Sequence, residues 1–167
     1  MKSTYLNLLI ITIFLSFPAC AQSSDAKIDN ILIEASKPSP NGDDRVISSE
    51  AAIKALIKDG YVSRKPDLRS DYTDYRVFHK PIKFFDQDLV MIEEEYLVKY
   101  VGCCVNPGIG FIVKLESEPV ALKKFANENK CSVDESPLDE FIAKLLGSKF
   151  AQNKYLFMSC RERDLNN

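Results

Sequence analysis

Hydrophobic and polar positions alternate in several distinct rhythms along this chain. The first rhythm is a run from Leu6 to Phe17 that carries no charge, led by Lys2 and closed by Pro18. Residues 30–35 form a short apolar stretch that reads as an edge strand, and Lys37–Asp44 has the prolines and the Asn-Gly step of a loop. Ser48–Asp59 is predicted helical. A serine can cap it, Ile53, Leu56 and Ile57 share a face, Lys54 and Lys58 share the other, and Gly60 stops it.

From Tyr61 to Glu116 the content turns β-branched and aromatic. Tyr61–Ser63, Tyr75–His79, Ile82–Phe85, Leu89–Tyr96, Leu97–Val105 and Gly110–Glu116 read as strands, with Arg69–Asp74 as polar loop. Pro107-Gly108 has the residues of a type II turn and predicts a hairpin closing there. Two helices follow. One spans Glu118–Glu128, with Ser117 as cap and Pro119 in its first turn. The other spans Pro137–Leu146, capped by Ser136, with Leu138, Phe141, Ile142 and Leu145 at helical spacing. Lys154–Cys160 is a final strand. The order implies an α+β fold: an antiparallel sheet with a Pro-Gly hairpin packed against about three helices.

The leader changes how the rest is read. Its apolar run is too short to span a bilayer, and Ala19 and Ala21 flank Cys20 in an A-x-A arrangement before Gln22. The segment resembles a bacterial signal peptide over residues 1–21. Ala19-Cys20 also resembles the end of a lipobox, with Phe17 and Pro18 in the two preceding places. That resemblance implies lipidation of Cys20 and an envelope anchor, whereas cleavage before Gln22 implies a periplasmic or secreted protein. Residues 22–29 then form a polar N-terminal segment, and 30–167 a single domain of a size that folds without cofactor or metal. No later apolar run is long enough to span a bilayer.

Composition narrows the chemistry. The chain has 22 basic and 24 acidic residues, a net charge of −2 and one histidine. Nucleic acid is not expected as a partner, and chemistry that needs two histidines is excluded. Either fate of the leader removes Cys20 from the five cysteines, leaving Cys103, Cys104, Cys131 and Cys160. An even set in an oxidising compartment predicts a disulfide framework. Adjacent strand residues face opposite ways, so Cys103 and Cys104 are each expected to reach a separate partner, Cys131 or Cys160.

The remaining candidates are few. His79 could act as a base, although no nucleophile-turn motif accompanies it. With the Cys103-Cys104 pair it could hold a soft metal, but the spacing does not match a zinc site, and no metal is expected. Glu93, Glu94 and Glu95 cannot converge on a strand and are expected on a solvated acidic face. Tyr72 and Tyr75 stand among aspartates, as the aromatics of a protein-binding rim do. The expectation is a small exported envelope protein that binds a protein partner through Tyr72, Tyr75 and Glu93–Glu95. An inhibitor or immunity protein of a periplasmic enzyme would fit. The alternatives are a thiol- or metal-dependent redox factor, a small hydrolase, or a structural envelope protein.

Overall fold

The structure is a computed structural model and describes residues 24–95, 106–135, 140–147 and 153–166. The expected signal segment 1–21, with Cys20, and Cys103, Cys104 and the expected strand Leu97–Val105 lie outside the described residues.

The fold is α+β and antiparallel. Strands β1 (Leu68–Ser70), β2 (Thr73–Val77), β4 (Gln87–Glu95), β5 (Gly108–Lys114), β7 (Tyr155–Arg161) and β6 (Ser132–Asp134) lie side by side in that order, and β3 (Lys83–Phe84) pairs with the start of β4. Helices α1 (Ser24–Ser36), α2 (Ser49–Lys58) and α3 (Val120–Glu128) cover one face. Helix α4 (Glu140–Leu146) contributes to the other. No described helix is long and apolar enough to cross a membrane.

Several local expectations change. Residues 30–35 are helix, not strand. They continue a pattern that starts at Ile28, where Ile28, Ile31, Leu32 and Ala35 repeat at i, i+3, i+4 and i+7. Ile28, Leu32 and Ala35 are fully buried. A window opened at residue 30 cuts that period in half. Tyr61–Ser63 is irregular rather than strand, and its Tyr61 and Val62 enter the core. Arg69–Asp74 is not loop but a tight hairpin, with Ser70 opposite Thr73. Ser48 caps α2 by accepting from the Ala51 amide at 3.2 Å, while α3 is preceded by Pro119 with no side-chain cap.

Strands β4 and β5 pair antiparallel, but Gly108 is the first residue of β5 and not part of a two-residue turn. Gly108 pairs with Arg161 and has φ +140°. A Cβ there would lie 2.4 Å from the Cys160 carbonyl oxygen, so the strand pairing itself demands glycine.

A β-bulge between Leu89 and Met91 explains why β4 lacks clean alternation. Leu89 packs into the large core with Ile92, Phe111 and the three helices. Met91 turns to the other face, with Ile112, Tyr155 and Leu146. Glu93 and Glu95 therefore share the α4 face, and Glu94 lies on the face of α1–α3.

The disulfide pairing also differs. Cys131 and Cys160 are bonded to each other, so neither awaits Cys103 or Cys104. Strand β6 pairs with β7 immediately beyond Cys131, Ser132 opposite Ser159, and that register brings the two sulfurs together.

Candidate functional site

The two ends of the sheet differ in character. At one end β2 and β5 begin and β4 and β7 finish, and this end collects the buried charges.

Arg45 organises it. The loop after α1 closes on itself through a Pro38–Arg45 bridge and a Val46 amide bond to the Lys37 carbonyl at 3.0 Å. That closure turns Arg45 inward, where it is 7% exposed. Its guanidinium donates to four carbonyls: Ser36 at 2.6 Å, Asn129 at 2.7 Å, Lys130 at 3.1 Å and Arg161 at 2.8 Å. These acceptors belong to the ends of α1, α3 and β7. Carbonyls at helix C-termini lack intrahelical partners and carry negative partial charge, so a cation suits them. Burial pulls the Arg45 guanidinium below its ordinary value, and Asp164 and Glu162 oppose that shift. An arginine stays protonated throughout.

Beside this clasp lies a cleft of about 350 Å³, lined by Asp44, Arg45, Ser49, Glu50, Gly108 and Glu162 among others. Burial, reinforced by the neighbouring Asp44 charge, pushes the Glu162 carboxyl up, and Arg45 pulls the other way. The first turn of α2 contributes Ser49 and Glu50. The cleft thus brings together three carboxylates and one guanidinium whose Nη1 and Nη2 already serve backbone carbonyls.

Buried ion pairs stiffen the strands behind it. On the α4 face Arg161 binds the Glu93 carboxylate and donates to the Gly108 carbonyl at 3.2 Å. Burial pushes the Glu93 carboxyl up, partly offset by Arg161 and by the Tyr75 hydroxyl. Tyr75 is itself pushed up to about 12 by burial and by Glu93. Gly110 makes room for this pair, since a Cβ there would lie 2.5 Å from Glu93 Oε1. Gly110→Ala is expected to cost about 1–3 kcal/mol through overpacking, read as a lowered midpoint in urea. On the opposite face Arg76 bridges Glu94 at 2.8 Å and Asp74 at 3.3 Å, and Arg69 clamps Asp74 with two bonds.

These contacts correct the expected solvated acidic face. Glu93 and Glu94 are 5% and 8% exposed and are held by arginines, and Asp74 is buried as well. Glu95 accepts from the Asn106 amide at 2.5 Å. Tyr75 is half-buried against the second core, while Tyr72, in the β1–β2 turn, is 42% exposed. The register places Tyr72 at the same end of the sheet as Glu95 and the cleft.

His79 is exposed, and its Nε2 lies 2.8 Å from Ser63 Oγ. Its amide donates to the Tyr61 carbonyl at 2.9 Å, which ties the two loops together. Among the described residues no group of three or more His, Cys, Asp or Glu side chains is placed to hold a metal ion.

Arg45, Arg161 and Gly110 were not singled out by sequence reasoning. A glycine inside an otherwise apolar strand was the available signal for Gly110, because it marks close approach by another group. Comparison with family models, curated proteins and solved structures finds no match to this chain.

Proposed function

We propose that this is an exported bacterial envelope protein that binds a protein partner, as an inhibitor or immunity protein of a periplasmic enzyme. The observation that carries this reading is the carboxylate-lined cleft at the ion-paired end of the sheet, with exposed Tyr72 at the same end. Binding surfaces combine a stiff support, an aromatic anchor and charges complementary to the partner. Here Asp44, Glu50 and Glu162 select a basic partner surface, and Tyr72 supplies apolar contact. The Glu93 and Glu94 side chains act from behind by holding the strands.

The leader supports export, and the Cys131–Cys160 bond suits an oxidising compartment. Intact mass of the exported protein distinguishes a start at Gln22 from a lipidated Cys20.

The test is binding of the envelope partner by variants. Tyr72→Ala combined with Glu162→Lys is expected to weaken binding more than tenfold without changing the fold, and wild-type affinity should fall as salt rises. Unchanged affinity in that double variant would contradict the assignment.

The Ser63–His79 contact favours a second reading as a small hydrolase, with Ser63 as nucleophile and His79 as its base. A burst of product from an activated ester, lost in Ser63→Ala and in His79→Ala, would favour it over binding.

A further inference from the structure

We propose that the Cys131–Cys160 bond is an exchange site for dithiols, attacked at Cys131, and that the fold persists when the bond opens. The inference is independent of the partner-binding assignment.

The two sulfurs differ in access. Cys131 is half-buried and lines an open cleft of about 280 Å³ with Lys130, Ser132 and Asp164, whereas Cys160 is fully buried. An incoming thiolate therefore meets Cys131. Arg45 lies 4.0 Å from the Cys131 sulfur, a position that favours an anion there.

The exchange takes two steps. A thiolate of the dithiol bonds to Cys131 Sγ, the Sγ–Sγ bond breaks, and its electron pair leaves on Cys160, which takes up a proton. The second thiolate of the reagent then attacks its own sulfur in the mixed disulfide. That closes a ring disulfide and expels Cys131 as a thiolate beside Arg45. The dithiol is oxidised and the protein bond is reduced, two electrons in all.

The opened state has its contacts ready. Once the expelled Cys131 thiolate takes up a proton, the Ser36 and Asn129 carbonyl oxygens, each 3.7 Å from its Sγ, can accept from the thiol. Arg45 spans the same junction as the bond, joining the end of α3 to the end of β7. The β6–β7 pairing continues from Ser132 onward. Opening the bond thus leaves two other ties across the same joint.

Full-length native protein treated with excess dithiothreitol at neutral pH without denaturant, then alkylated and digested, reports Cys131 and Cys160 on separate peptides. The expected result is alkylation of both Cys131 and Cys160, with the far-ultraviolet spectrum retained. Thermal unfolding should stay cooperative with its midpoint lowered by roughly 10 °C or less. Glutathione used in place of the dithiol should leave its adduct on Cys131. No alkylation without denaturant, a glutathione adduct on Cys160, or loss of the fold together with the bond would each overturn the proposal.

Discussion

Replacing Arg45 with methionine is expected to destabilise the protein by about 4 kcal/mol or more, through the loss of hydrogen bonds from a charged donor worth roughly 1.5–3 kcal/mol each. The side chain joins the ends of α1, α3 and β7 through four carbonyls. Methionine fills similar volume but removes the donor from the buried contacts to the Ser36 and Arg161 carbonyls and from the part-buried ones to Asn129 and Lys130. The thermal midpoint should fall by roughly 10 °C. Arg45→Lys should recover little, because one ammonium cannot reproduce a planar fork that reaches several acceptors at once. Hydrogen exchange would localise the damage, with protection lost first at α3 and β6.

The second large effect is expected at Arg161. Arg161→Met leaves Glu93 buried beside Tyr75 with no cation, a defect that typically costs about 3–5 kcal/mol. Its pH dependence identifies the cause. Burial already raises Glu93 above the ordinary glutamate range in the folded protein. A raised carboxyl contributes stability that is present below its unfolded pKa and lost as pH rises through the folded value. Removing Arg161 raises the folded value further and widens that window upward. The deficit of Arg161→Met relative to wild type should therefore be largest at neutral pH and shrink as the solution is acidified and Glu93 becomes neutral. Adding Glu93→Gln should restore part of the loss at neutral pH, since no buried charge then remains. Denaturant midpoints across pH for the three variants measure this directly.

Legibility in the sequence followed the range of the interactions. Helix α2 was readable because its cap, its apolar stripe and its stop lie within a dozen consecutive positions of one another. Strand β7 was readable from an uninterrupted apolar run. Helix α1 was misread only because the apolar period begins at Ile28, inside a stretch assigned as polar. The buried ions were illegible for a different reason. Arg45 and Arg161 are separated by 116 positions, and Glu93 and Arg161 by 68. A charged residue is ordinarily expected at the surface, and nothing local reveals that a distant partner will bury it. The cysteine pairing failed similarly, since it depends on β6 lying against β7, a register that spacing along the chain does not encode.

The central claim is that the carboxylate-lined end of the sheet meets a protein partner. Site-specific photo-crosslinking in intact cells tests it most directly, with a photoreactive residue placed at Glu50, at Tyr72 or at Val120. Val120 is exposed and begins α3, which follows the opposite end of β5. One discrete adduct of the same partner is expected from positions 50 and 72 and none from 120. Equal crosslinking from all three positions, or adducts from 120 alone, would contradict it.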